Sequence, residues 1–419
     1  MNRARDDCFD PGQDLMPLEK ALEILTARTE PVTEVEEVFL KDSLDRVLAE
    51  DVLSTRDVPP HDNAAVDGYA VHFDDIAADN ETRLPVTGRI AAGHPLGRPA
   101  DRGEAIRIFT GAPMPEGLDT VLMQEDCRVE GEHVLFGPMG IKRGANRRKR
   151  AEDIAIGKTI LEPGRRLRPQ DLGLAASVGR DRLLVHKPLR VAVFSTGDEI
   201  RDPGQDAPDG CIFDSNRYTV GALARCLGCE VTDIGILPDR FGAIRDGLGA
   251  AAQEHDALIT SGGVSIGDED HVKAAVEALG NLHFWRLAIK PGRPIALGRI
   301  GEAAFVGLPG NPVAAMVTFM RIARPVLLRL SGRTDLEPPV YKVRSAFAMK
   351  KKVGRREWLR AHLMRDAGGD LRAVKYAADG SGILMSMAAA DGLIELPEQL
   401  QNVKEGDWID FLPFTEVFK

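Results

Sequence analysis

The 419 residues exceed what one hydrophobic core usually serves, so several domains are expected. A net charge of −10, from 54 Lys and Arg against 64 Asp and Glu, argues against a nucleic-acid partner, whose phosphates call for a basic face. No apolar run approaches a membrane span, the N-terminus lacks a signal-peptide apolar core, and five cysteines without a disulfide framework fit a reducing compartment, so a cytoplasmic protein is expected.

In chain order, Leu15 to Arg28 carries apolar residues at Leu15, Leu18, Leu22 and Leu25, a helical period stopped by Pro31. Val35 to Leu48 reads as a short extended run and then another helical stretch. The segment from Val58-Pro59-Pro60 through Asp67-Gly68-Tyr69 to Val71 breaks every periodicity, as a hinge or a site would. Leu84 to Val134 alternates short strands with Gly/Pro turns, and one strand ends in the rigid turn Thr110-Gly111-Ala112-Pro113-Met114-Pro115. The basic run Lys142, Arg143, Arg147, Arg148, Lys149 and Arg150 reads as a solvated loop that could hold an anion locally. A helix opened by Pro169 closes at Gly179.

From Leu189 apolar strands alternate with amphipathic helices: strand Leu189 to Ser195, helix Tyr218 to Leu227, strand Val231 to Leu237, helix Phe241 to Gln253, strand Ala257 to Thr260. This order predicts an α/β fold with a doubly wound, mainly parallel sheet, whose ligands gather at the C-terminal strand ends. Those ends carry acids: Asp198 and Glu199, then Asp239, then Asp268, Glu269 and Asp270 beyond the double glycine Gly262-Gly263. The glycines suit an oxyanion cradle, and carboxylates beside a phosphate suggest a hard divalent cation; a solvated helix start is the plain alternative. Lys290-Pro291-Gly292-Arg293-Pro294 brings two cations to a turn. Leu308-Pro309-Gly310-Asn311-Pro312 opens a long apolar helix that Pro325 should kink. After Glu337-Pro338-Pro339, strands such as Tyr341 to Phe347 and Trp358 to Leu363 indicate a small β barrel or sandwich, with helical period only near Ile383 to Ala390.

Common signatures fail. Gly157-Lys158-Thr159 lacks the leading glycine of a phosphate loop, the 262–267 stretch is not G-x-G-x-x-G, and no G-x-S-x-G or His/Cys ligand cluster is present. The Cys226/Cys229 pair reads as core packing, not as a metal or redox site.

Six stretches resemble, in the same order, the motifs of the molybdopterin molybdenumtransferase family, which includes the E domain of gephyrin. They are Asp57 to Ala70, Thr110 to Pro115, Ser195-Thr196-Gly197-Asp198-Glu199, Ser261-Gly262-Gly263-Val264-Ser265, Lys290 to Pro294 and Leu308 to Pro312. The resemblance implies a split N-terminal domain (13–53 and 154–188), an inserted β-rich domain (54–153), a molybdopterin-binding α/β domain (189–332) and a C-terminal β barrel (333–419). It also implies an elongated homodimer that inserts molybdate at the dithiolene of adenylylated molybdopterin and releases AMP, assisted by Mg2+. A candidate protein partner is the molybdopterin adenylyltransferase; neither nucleic acid nor membrane is expected.

By the same resemblance Asp67, Thr110, Asp153, Glu199, Asp239 and Asp270 are catalytic, with Asp239 and Asp270 on the metal. Asp198, Ser261, Gly262, Gly263, Ser265, Lys290, Arg293, Pro309 and Asn311 bind substrate, and Asp67, Thr110 and Asp153 come from the other subunit. The chain departs from the pattern at His61, Ala64, Val66, Arg293 and Ala151. If the family's glycine before Glu152-Asp153 has a positive φ, Ala151 costs about 1 kcal/mol there. A related adenylyltransferase and a non-catalytic scaffold are the alternative readings.

Overall fold

The computed structural model describes residues 15–138, 140–263 and 271–418. Helix α1 (Leu18–Arg28) leads into β1 (Val35–Phe39), β2 (Val47–Leu48) and β3 (Val52–Leu53). The second helical stretch expected before Leu48 is a single 3-10 turn, Leu40–Asp42, because the chain there turns back to pair with a strand far along the sequence.

Residues 63–148 form a β unit of their own: β4 (Asn63–Ala64), β5 (Gly68–Val71), β6 (Thr82–Ile90), β7 (Ala105–Ile108), β8 (Thr120–Met123), β9 (Arg128–Glu130), β10 (His133–Phe136) and β11 (Arg147–Arg148). The main sheet runs β8-β5-β7-β6-β10-β9, with β11 paired to β4 alongside. The chain then returns as β12 (Thr159–Leu161), α2 (Pro169–Ser177) and β13 (Arg182–His186). β12 pairs with β3, and β13 lies between β1 and β2, so residues on either side of the β unit share one core of Leu48, Val52, Leu161, Leu167, Ala175, Leu183 and Val185. Helix α1 does not join that core; Leu18 and Ala21 are buried with the α/β residues that follow.

The α/β region comprises β14 (Arg190–Thr196), the short pair β15 (Ile200–Arg201) and β16 (Ile212–Phe213), α3 (Asn216–Cys226), β17 (Glu230–Leu237), α4 (Phe241–Glu254), β18 (Ala257–Ser261) and α5 (His271–Leu279). Then follow β19 (Gly280–Arg286), β20 (Ile289–Lys290), β21 (Pro294–Ile300), β22 (Ala303–Leu308), α6 (Pro312–Thr318) and α7 (Arg324–Leu330). The sheet order is β17-β14-β18-β22-β21-β19. Its first four strands are parallel, and β21 and β19 add an antiparallel edge. Both faces of β14 are buried, Val191 and Val193 in one apolar cluster and Ala192 and Phe194 in the other. This is why its sequence is almost continuously apolar.

Pro312 occupies the first turn of α6, as expected, while Pro309 lies outside the helix. The break before Pro325 takes the form of a π segment at Phe319–Ala323 between α6 and α7. A wider turn there accommodates the carbonyls that a proline ring cannot pair with.

The last region holds β23 (Tyr341–Ser345), β24 (Met349–Lys350), β25 (Arg356–Arg365), β26 (Leu371–Lys375), α8 (Met385–Ala388), β27 (Gly392–Leu396), β28 (Asn402–Val403), β29 (Trp408–Pro413) and α9 (Phe414–Val417). Strands β25-β26-β23-β29-β27 close on themselves through β25 and β27, a five-stranded barrel. Alternation along the strands joins it to the α/β region: Leu359, Ile394 and Phe411 fill the barrel, while Trp358, Leu393 and Leu412 face the α/β core.

Candidate active site

The first group of predicted residues sits at adjacent strand ends. Thr196 is opposite Leu237 in the parallel pair of β14 and β17, so the turns carrying Asp198 and Asp239 emerge side by side. Asp198 and Glu199 are exposed and Asp239 is half-buried. The Glu199 carboxylate folds back over Gly197, where a Cβ would lie 2.7 Å from Glu199 Oε2. Oxygen donors are the kind a hard divalent cation takes, but among the described residues no three such side chains come together to hold one.

The double glycine follows β18. Gly262 and Gly263 have φ of +91° and +64°, and a Cβ on Gly263 would stand 2.5 Å from Thr196 Oγ1, so that position admits only glycine. The Gly262 N–H donates to Leu308 O at 3.0 Å, and Ser261 Oγ donates to Pro309 O at 3.3 Å. Asn216 Nδ2 donates to both Ser261 Oγ (2.7 Å) and Gly310 O (2.6 Å), tying together the two glycine-bearing turns. That positioning role for Asn216 was missed in the sequence because only the fold brings the start of α3 to this point. Asn311 is exposed, and its side chain makes no helix-capping bond. Ser265 and Asp270 lie outside the described residues.

The cation turn lies where the α/β region meets the barrel. β20 pairs with β25, placing Lys290 opposite Glu357, and Lys290 Nζ donates to Glu357 Oε2 at 3.1 Å. Gly292 has φ of +91° and lies so close to α6 that a Cβ would meet Thr318 Cγ2 at 2.6 Å. Lys290, Gly292, Arg293, Trp358, Arg360 and Ser381 line a cleft of about 200 Å³.

Arg360 gives this cleft its character. It is 3% exposed, and its guanidinium donates to Ser386 Oγ (2.9 Å), Ala378 O (2.9 Å) and Gly380 O (3.1 Å). None of those partners is a carboxylate, and Asp379, which also lines the cleft, is paired with Lys375 at 2.6 Å. Burial pulls the Arg360 pKa down. For Arg293, burial acts first and the neighbouring guanidiniums of Arg355 and Arg286 add to it. Asp379 acts on Arg360 only through space and Glu357 is taken up by Lys290, so a buried cation whose hydrogen bonds go to neutral dipoles, with Arg293 beside it, favours an anion in the cleft. Arg360 and Ser381 were not among the predicted residues, since each occupies an ordinary barrel strand or loop and becomes significant only through its place opposite Lys290 and Arg293.

The second group belongs to the β unit. Asp67 accepts from the Thr110 N–H (2.8 Å) and from the Thr110 hydroxyl (2.7 Å), and these two bonds, the backbone one first, lower its pKa. Gly68 is required beside it, for a Cβ would overlap Leu122 O at 1.7 Å. Asp153 is exposed in a loop held by its own N–H on Val58 O (3.0 Å), and it lines a cleft with Val58, Pro59, Asn63, Arg148 and Glu152. Ala151 has φ of +59°, so the backbone there does adopt the conformation for which a glycine is suited.

Three of the six cations of the basic run are committed to ion pairs. Arg143 pairs with Asp119 (2.7 Å) and with Asp74, Arg147 with Asp62 (3.4 Å), and Arg150 with Asp57 (2.5 Å). The described hydrogen bonds and ion pairs hold the Asp67 group and the strand-end group each within its own part of the chain. Among the described residues no helix is long and apolar enough to cross a membrane.

Three family models match in succession: the MoeA N-terminal region (domain I and II) at residues 16–179, a probable molybdopterin binding domain at 192–329, and the MoeA C-terminal region (domain IV) at 342–414. A molybdopterin molybdenumtransferase of Haemophilus influenzae is 36% identical, with 92% of this chain and 95% of that protein aligned. Molybdopterin molybdenumtransferase 2 of Mycobacterium tuberculosis is 35% identical over 88% of this chain and 92% of its own. Two crystal structures of the molybdopterin biosynthesis moeA protein of Pyrococcus horikoshii are similar in fold. One has a TM-score of 0.83 at 27% identity, the other 0.76 at 31%; they cover 96% and 97% of this chain and all of their own. With the same regions matched in the same order over nearly its whole length, the chain belongs to the molybdopterin molybdenumtransferase family of molybdenum cofactor biosynthesis.

Proposed function

We propose that this enzyme inserts molybdate into the dithiolene of adenylylated molybdopterin and releases AMP. The observation that carries the reading is the Arg360 cleft, a buried cation that among the described residues hydrogen-bonds no carboxylate, beside Lys290 and Arg293, which suits a small dianion better than an extended apolar ligand. The cleft needs both the barrel and the α/β turn, so a molybdopterin-binding domain alone could not form it. This favours the transferase over an adenylyltransferase, and the charge left uncompensated there argues against a mere scaffold.

In this scheme Gly262 and Gly263 leave room for the pterin phosphate near Ser261, while Pro309 and Asn311 border it. Asp198, Glu199 and Asp239 face the adenylyl linkage, and with Ser265 and Asp270 they complete the set of substrate and metal contacts. Asp239 and Asp270 would hold Mg2+, which when bound neutralises charge on the phosphoanhydride. No covalent nucleophile is required: the chain's own contribution is to place two anions and the dithiolene together and to hold Asp67 ionised through Thr110.

Asp67, Thr110 and Asp153 are proposed to act on the strand-end site of a second copy, a reading supported by the separation of the two groups within one chain. A homodimer in the cytoplasm, with the adenylyltransferase as the partner that supplies substrate, completes the proposal. Incubating purified protein with adenylylated molybdopterin, molybdate and Mg2+ should release AMP in step with cofactor formation. Asp67→Ala and Asp270→Asn dimers should each be nearly inactive, Asp270→Asn through turnover more than affinity. Mixed dimers should recover activity, since one of their two composite sites keeps both acids. No recovery after demonstrated subunit exchange would place both acids in one subunit's site and overturn the shared-site model.

A further inference from the structure

From Pro338 to Arg356 the chain contains no Asp or Glu, yet it carries Lys342, Arg344, Lys350, Lys351, Lys352, Arg355 and Arg356. In a protein of net charge −10 this is a local reversal of sign. Three of the seven are accounted for: Lys342 pairs with Asp410 (2.8 Å), Arg344 lies over the Trp408 ring (4.0 Å), and Arg356 is bound by Glu395 and Glu398 (3.1 Å each). Lys350 and Lys352 are exposed and Arg355 half-buried, and their charges meet no carboxylate among the described residues.

The strand opposite does not neutralise them. Lys350 faces Asn402 across the β24–β28 pair, and the Lys351 N–H donates to Gln401 O at 2.8 Å. Lys350, Lys351, Lys352, Gln401 and Asn402 line a cleft of about 530 Å³. Lys351 is only 6% exposed, and its ammonium donates at 3.3 Å to the carbonyls of Lys352 and Glu398. The turn from Lys350 to Arg355, between β24 and β25, leads to the Arg360 cleft: Arg355 is a charged neighbour of both Arg293 and Lys351, and the Arg356 N–H donates to Ala288 O just before the Lys290 turn.

We propose that the Lys350–Arg355 turn between β24 and β25 is a capture surface for small oxyanions that delivers molybdate to the Lys290, Arg293 and Arg360 cleft. The proposal rests on the reading of that cleft as the oxyanion site. A row of cations of one sign leading into a cleft raises the local concentration of a dianion and its rate of entry, and salt screens the effect. Lys350 and Lys352 line a cleft of their own and not the one that Arg360 lines, so they set how fast the anion arrives and not how long it stays.

The test is stopped-flow mixing of the full-length protein with sodium molybdate, followed through the tryptophan fluorescence to which Trp358 in the cleft contributes. Lys350→Gln/Lys352→Gln should lower the association rate about five-fold at 20 mM ionic strength, and the double Glu variant by more. All proteins should converge at 500 mM, with dissociation rates unchanged throughout. Equal association rates at low salt, or a loss that persists at high salt, would overturn the capture role while leaving the Arg360 cleft intact. Absence of any molybdate response in the wild type, checked by equilibrium dialysis with radioactive molybdate, would overturn both. Repeating the low-salt measurement with AMP separates the sources of oxyanion: a defect confined to AMP would assign the surface to the nucleotide phosphate and overturn the molybdate proposal.

Discussion

Two cation-rich parts of this chain meet opposite fates. The run from Lys142 to Arg150 is conspicuous in the sequence, but in the fold three of its six cations, Arg143, Arg147 and Arg150, are each answered by an aspartate of the N-terminal half. The cations at the barrel junction are scattered from Arg286 to Arg360; Lys290 and Arg356 are paired with glutamates, but among the described residues Arg293, Arg355 and Arg360 form no ion pair. Density of charge along a chain therefore says little about binding. What matters is whether the fold has already neutralised the charge, since only uncompensated charge has free energy left to give a ligand.

The largest effect that would sharpen this contrast is expected at Arg360. Arg360→Lys keeps the charge but loses the planar fork that holds Ser386 and two carbonyls at once. AMP release should fall by about 100-fold, with circular dichroism and the sedimentation behaviour unchanged, as for loss of one preorganised charge contact. Activity within two-fold of wild type would put the oxyanion elsewhere.

In the β unit the corresponding charges should matter for stability. Glu104 is 6% exposed, and Arg98, the Thr87 hydroxyl and the Asp101 N–H hold its pKa down at about 2, the Arg98 bond contributing most. Glu104→Gln should cost about 2 kcal/mol at neutral pH in chemical denaturation, with turnover at 25 °C retained. Because the folded pKa lies below the unfolded one, this contribution is fully present above roughly pH 4.5. It is lost as pH falls toward 2, so variant and wild type should converge in acid. A difference that grew with acidity would contradict the assignment.

A smaller effect is expected at Ala151. Its φ of +59° strains a residue with a Cβ, so Ala151→Gly should stabilise the protein by about 1 kcal/mol and leave the Asp153 loop in place. Loss of stability would mean that the backbone entropy of glycine outweighs the relief. Smallest of all is Arg143→Gln at an exposed ion pair, for which melting should shift by no more than about 2 °C and turnover by less than two-fold. A large loss of activity there would restore the basic run as a site and break the comparison with which we began.

The local chemistry of the sequence was enough to determine the alternation of strands and helices from Leu189 to Ser261, the glycines at 68, 262 and 263, and the proline-rich turns, because apolar period and backbone freedom are properties of neighbouring residues. The resemblance to the family, and not local chemistry, marked position 151 as one where a positive φ would matter. The tertiary structure alone decided that β1 pairs with β13, that α1 is buried in the α/β core, that β21 runs against the other five strands of its sheet, and that Asn216 bridges two turns. It likewise decided which arginines are paired and which are not. The energy of a charge depends on its neighbours in space and on the water it has lost, and in Arg360 those neighbours come from 18 to 26 residues away in the chain, with the Lys290 turn farther still.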